Sequence, residues 1–186
     1  MRRHTMTALL LAAAFLPHTA QANGDHGAHV HGVAQLLLTR DGHQLELTLE
    51  SPAANLLGFE HPPASAEDRE AINQAVASLR DTERLFTISG GNCTVVDVQI
   101  TSPFEKIHHH AEHSHHGDDD AGHRDSHSEF HVSYQYECDA NAEIKQLKTG
   151  LLAVFPAIEL LHVQWITEHG QSAERLSGNN DMVYLQ

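Results

Sequence analysis

The chain has 186 residues, 40% of them hydrophobic, and carries 25 Asp and Glu against 11 Lys and Arg, for a formal charge of −14 at pH 7. That length suits one domain with a sizeable core. The acidic balance argues against nucleic acid and anionic membrane as partners and in favour of cations, and 18 histidines supply imidazole, the commonest side-chain ligand of transition metals.

The first residues read MRRHTMTALLLAAAFLPHTAQA. Arg2 and Arg3 form a basic start, residues 8–17 an apolar core, and Ala20-Gln21-Ala22 an A-x-A cleavage site. This predicts a secretory signal peptide over residues 1–22 and, in a cell with an outer membrane, a periplasmic protein. The apolar run is too short to span a bilayer and no later stretch qualifies, so the mature chain is not expected to be membrane-embedded. Removal of Arg2 and Arg3 with the leader makes the mature protein still more acidic.

Residues 23–32, NGDHGAHVHG, read as a flexible arm with His26, His29 and His31. In an extended segment His29 and His31 point to one side. They form either a small second ligand cluster or a set of exposed polar residues. Residues 33–50 then predict an antiparallel hairpin: Asp41-Gly42 is a turn signal, and Leu45, Leu47 and Leu49 alternate with polar residues. Ser51-Pro52 ends it. In residues 55–63, NLLGFEHPP, the apolar Leu56, Leu57 and Phe59 are expected to seat a loop on the core and hold Glu60 and His61 as candidate ordered ligands. Residues 65–84 predict an amphipathic helix, with Ser65 as N-cap, Glu67 and Asp68 in the first turn, and Ile72, Ala75, Val76 and Leu79 along one face.

A strand is predicted over residues 86–88, a turn at Gly90-Gly91, and a longer strand over CTVVDVQIT. Residues 130–138 alternate again, with Phe130, Val132, Tyr134 and Tyr136 on one face and His131, Ser133 and Gln135 on the other. The two long strands flank an insertion at residues 105–128 and read as a hairpin with an oversized loop. Pairing them brings Cys93 and Cys138 together at the closed end. In an oxidising compartment these two cysteines predict one disulfide, and no CxxC spacing offers a redox or zinc site instead.

The insertion contains HHHAEHSHHGDDDAGHRDSH at residues 108–127. Its eight histidines are His108, His109, His110, His113, His115, His116, His123 and His127, interspersed with Glu112, Asp118, Asp119, Asp120 and Asp125. Without a large apolar residue it is expected to be disordered. Histidines spaced one to four residues apart let one loop wrap an ion with several rings, so the composition points to divalent transition metals. A solvated polar linker is the alternative. The match of residues 109–113 to the inverted zincin pattern H-x-x-E-H is expected by chance in such a tract and lacks a helix to order it, so no catalytic residue is assigned.

Beyond the tract, residues 147–156 read as a strand or as a helix ending before Pro156; a short strand leading into a helical turn around residues 155–159 is favoured. A strand over residues 160–168 with Leu161, Val163 and Trp165 on one face follows, then a turn at Gly170, a return over residues 171–176 and a last strand at residues 182–185. The predicted fold class is α+β, a mainly antiparallel sheet with one amphipathic helix and a long His/Asp-rich hairpin loop, in a single domain over residues 33–186.

The stretch HVHGVAQLLLTRDGHQLELTLESPAANLLGFEHPP resembles the start of the periplasmic zinc uptake proteins of the ZrgA type. The resemblance continues through the helix, the cysteine pair, the tract, Phe155-Pro156 and HVQWITEHGQ. It implies binding of Zn²⁺ and assistance to high-affinity zinc import, with a zinc ABC importer or its substrate-binding subunit as partner. A buffer or carrier for Cu²⁺ or Ni²⁺ is the alternative, since a histidine loop holds Cu²⁺ more tightly than Zn²⁺. Besides the tract, His29, His31 and His61, with Glu60 as ligand or supporting carboxylate, are candidates for a more rigid site on the framework.

Overall fold

The alternation seen in the sequence becomes a six-stranded sheet in the computed structural model, which describes residues 30–104, 128–139 and 142–185. The predicted leader, His29 and the tract lie outside the described residues. Strands β1 (Val33–Asp41) and β2 (Gln44–Pro52) form the first hairpin. Asp41 pairs with Gln44, so the turn occupies Gly42 and His43, one residue later than the Asp-Gly signal suggests. β4 (Cys93–Thr101) and β5 (Glu129–Cys138) form the second, and β7 (Leu160–Thr167) and β8 (Gly170–Leu176) the third. The order across the sheet is β4-β5-β2-β1-β7-β8. All neighbours are antiparallel except β1 and β7, which run parallel with Val33 opposite Leu160.

A second sheet differs from the single sheet read from sequence. It contains β3 (Phe86–Ser89), β6 (Gln146–Thr149) and β9 (Met182–Tyr184) in the order β3-β6-β9. The helices are α1 (Ala53–Leu57), α2 (Ala66–Arg80), α3 (Thr82–Leu85) and α4 (Leu151–Val154). The sequence predicts α2; in residues 147–156 both readings hold in part, since a short strand is followed by α4, a helix that ends before Pro156 and earlier than the helical turn expected at residues 155–159. Gly150 starts α4, and its N–H donates to the Leu85 carbonyl at 2.7 Å. A side chain at Gly150 would collide with the carbonyl of Arg84. The contact that positions this turn therefore comes from a segment far away in sequence.

The core lies under one face of the large sheet. Leu36, Leu38, Leu45, Leu47, Leu49, Val132, Tyr134, Leu161 and Val163 are buried there, and Leu79, Leu85, Leu147, Leu151 and Val183 close it from the other side. Each fully buried leucine contributes roughly 1.5–3 kcal/mol of transfer free energy. The opposite face of the sheet carries Gln35, Glu46, Glu50, His131, Gln135 and Gln164, the polar half of the same period of two.

The two ends of the sheet differ. At one end Cys93 and Cys138 are cross-strand partners joined by a disulfide, as predicted. There the Cys138 N–H donates to the His43 carbonyl at 2.8 Å, and Asn92 donates to the Asp139 carboxylate at 2.9 Å. The chain enters and leaves the histidine tract at the other end. Among the described residues no helix is long and apolar enough to cross a membrane.

Candidate functional site

The tract end of the sheet is assembled around one buried side chain, Asn55, on α1. Its Oδ1 accepts from the Gly32 N–H at 2.8 Å, and its Nδ2 donates to the Val33 carbonyl at 2.9 Å and to Ser51 Oγ at 3.3 Å. The Gly32 carbonyl accepts in turn from the N–H groups of Glu159 and Leu160, at 2.8 and 2.9 Å. Gly32 has φ 83°, a left-handed conformation that glycine adopts without strain. The end of the predicted arm is thus a turn fixed to both α1 and β7, and His31 sits on it.

Gly58, also at φ 83°, caps α1 with an N–H bond to the Ala54 carbonyl at 2.9 Å and redirects the chain into Phe59-Glu60-His61. The far side of this loop is held by the helix start that the sequence announced. Asp68 Oδ2 accepts from the N–H groups of Ala64 and Ser65 at 2.8 and 3.0 Å, and Ser65 Oγ accepts from the Asp68 N–H at 3.0 Å, a reciprocal capping box. These backbone donors hold the Asp68 carboxyl below its ordinary range.

On this frame Glu60 Oε1 lies 3.1 Å from His31 Nε2, with the imidazole 66% and the carboxylate 38% exposed. His61 lies on the same loop with its ring stacked on Phe59 at 4.8 Å, and its Nδ1 is 3.1 Å from the Pro62 carbonyl. With Nδ1 donating there, Nε2 is the nitrogen available to a metal. Phe59 packs 6.2 Å from Phe104, the last described residue before the tract. Ser128, the first after it, donates its hydroxyl to the Glu60 carbonyl at 2.8 Å, and its carbonyl accepts from the Ala53 N–H at 2.7 Å. The last described residue before the tract and the first after it therefore both rest on the loop that carries Glu60 and His61.

Two ligands of a tetrahedral zinc, each at about 2.0–2.1 Å, stand roughly 3.4 Å apart. The His31–Glu60 pair is within a few tenths of an ångström of that spacing. Among the described residues no three His, Cys, Asp or Glu side chains converge on one metal position. The structure thus brings together His31 and Glu60, places His61 on the same loop stacked on Phe59 without joining it to that pair, and leaves His29 and the eight tract histidines outside the described residues. A second group passed unmarked in the sequence. His131 lies with Nδ1 3.6 Å from Glu50 Oε1 and Nε2 3.4 Å from Glu129 Oε2, on the solvent face of the large sheet. Alternation alone places His131 on that face; that Glu50 is its cross-strand partner depends on β2 being the neighbour of β5.

None of the curated proteins compared matches this chain. The family model described as "ZrgA family zinc uptake protein" matches residues 28–185. That match takes in every described strand and helix and the tract between β4 and β5, and on it the chain belongs to the ZrgA family of zinc uptake proteins.

Proposed function

We propose that the protein acts in zinc uptake as an exported accessory protein, which captures Zn²⁺ in the periplasm and passes it to a zinc ABC importer or to the substrate-binding subunit of one. It works by binding and exchange, and catalyses no reaction. The family supports the metal and the process; the leader-like start supports export. The acidic surface and the tract support cation capture.

The single observation that carries the reading is the anchoring of the described residues on either side of the tract. Phe104 and Ser128 rest against the loop of Glu60 and His61, whose carboxylate meets His31. The tract offers many ligands but no large apolar residue with which to bury itself, so each ion it takes up is bound without support from a core. The pair at its root is held by Asn55, Gly58 and the Asp68 cap, so less ordering is needed to bind there. Ions collected along the tract have a short path to a better-organised pair. High exposure of His31 keeps that pair open to exchange.

The test is deletion of residues 108–127 followed by zinc titration. The expected result is fewer ions bound, with one tighter site surviving that is lost in a His31→Ala/Glu60→Gln variant of the deleted chain. Loss of all zinc binding on deletion would mean that the tract alone carries the function. Metal content of the protein as exported separates zinc from Cu²⁺ or Ni²⁺ as the natural cargo.

A further inference from the structure

The solvent face of the six-stranded sheet holds a ligand set that depends neither on the tract nor on the His31–Glu60 pair. The period of two in β5 buries Phe130, Val132 and Tyr134 and turns Glu129 and His131 outward. Register then sets His131 opposite Glu50 of β2 on one side and Thr101 of β4 on the other. β5 is an inner strand, and His131 is paired on both sides, to β2 and to β4.

The imidazole has a carboxylate at each nitrogen. Glu50 Oε1 is 3.6 Å from Nδ1 and Glu129 Oε2 is 3.4 Å from Nε2, with side-chain exposures of 50% for His131, 42% for Glu50 and 16% for Glu129. Metal-binding histidines commonly donate the N–H of one ring nitrogen to a carboxylate, which fixes the tautomer and turns the other lone pair to the ion. Glu129, the more enclosed carboxylate and the nearer of the two, lies 3.4 Å from Nε2, longer than an ordinary hydrogen bond, and takes the supporting role once the ring turns slightly toward it. The Nδ1–Glu50 distance is too long for a hydrogen bond. It is close to the roughly 3.4 Å that separates two ligands of one tetrahedral ion. Two carboxylates lie beside the one imidazole, an excess of acidic groups that attracts a dication.

We propose that His131 Nδ1 and Glu50 bind a divalent transition-metal ion on the outer face of the sheet, with water completing its coordination and Glu129 acting as a positioning residue at Nε2. The arrangement is consistent with the absence of any three-ligand group among the described residues, because only two side chains of the set face the ion.

The experiment uses the full chain with ¹⁵N-labelled histidine, Zn²⁺ as the probe and imidazole nitrogen NMR as the readout. The His131 signals are identified by their loss in His131→Gln. Zinc at pH 7 is expected to shift Nδ1 of His131 as a metal-bound nitrogen while Nε2 keeps its proton. Glu50→Gln should abolish that shift. Glu129→Gln should raise the zinc concentration for half-saturation of the signal tenfold or more and release the single tautomer. Unchanged histidine signals elsewhere show that the variants are folded. The readout belongs to His131 alone, so zinc held by the tract or by His31 does not contribute to it. If zinc leaves both His131 nitrogens unmoved, or if the shift survives in Glu50→Gln, the group is an ion pair only and the proposal is overturned.

Discussion

At one end of the six-stranded sheet the chain is closed by a covalent bond, and at the other by hydrogen bonds and apolar contacts without a cross-link. The cysteine end has the Cys93–Cys138 disulfide and backbone bonds between neighbouring turns. The tract end has Asn55, Gly32, Ser128 and the Phe59–Phe104 contact. Candidate ligands collect at the second end: His31, Glu60, His61, and on the outer face His131 with Glu50 and Glu129. The difference separates two tasks. A cross-link constrains the unfolded chain without occupying imidazole or carboxylate groups, and a network of neutral hydrogen bonds fixes backbone positions while the titratable side chains face solvent, where an ion can enter and leave.

If that separation holds, each end can be damaged without the other. The largest effect is expected from Cys93→Ala/Cys138→Ala. The disulfide spans 45 residues of sequence, so its loss should lower stability by about 4 kcal/mol in urea unfolding, with zinc stoichiometry of the folded fraction unchanged. A lower stoichiometry in fully folded variant would break the separation. Next is Asn55→Ala, which leaves the Gly32 N–H and the Val33 carbonyl without their buried partner. It should cost about 1–3 kcal/mol and, unlike the cysteine variant, weaken zinc binding at the His31–Glu60 pair.

Acidification sharpens the contrast. Ligating imidazoles must be neutral, and free imidazole titrates near about 6.5, so apparent zinc affinity should fall more than tenfold between pH 7 and pH 5. Isothermal titration at the two values checks this; equal affinities would exclude imidazole-dominated binding. The smallest effect is at the helix start. Ser65→Ala should cost about 1 kcal/mol in thermal unfolding. Asp68 contributes in the opposite sense to a raised base. Its carboxyl is lowered on folding, so its stabilisation is present above the ordinary carboxylate value of about 4 and is lost as pH falls through the lower folded value. Asp68→Asn should therefore differ from the parent at neutral pH and converge with it in acid.

How far these features can be read from the sequence depends on how near in sequence their parts lie. The first hairpin is legible because Leu45, Leu47 and Leu49 declare their face and Gly42 their turn. The helix start is legible because Ser65 and Asp68 are three residues apart, and the disulfide because the two long strands name their own closed end. The second sheet is not. β3 and β6 have four residues each, too few for a period to assign a sheet, and they meet through Phe86 opposite Thr149. The parallel pairing of β1 with β7 is likewise invisible, since neither strand carries a mark of the other. For α1, the segment NLLGFEHPP was read as a loop seated on the core; the seating is right, but its first part is helical because Asn55 is drawn inward to the Gly32 turn.

The amino-acid sequence by itself determined what this protein has to offer: imidazole and carboxylate in abundance, a capped helix, alternating strands and one pair of cysteines. These follow from composition and from periods of two and 3.6, which need no knowledge of distant neighbours. Tertiary structure alone decided which ligands meet. His31 reaches Glu60 because a buried asparagine joins the turn before β1 to α1, and His131 faces Glu50 because β5 is laid against β2. Convergence of ligands is a property of distances between segments remote in sequence, and those distances are set by how the whole core packs.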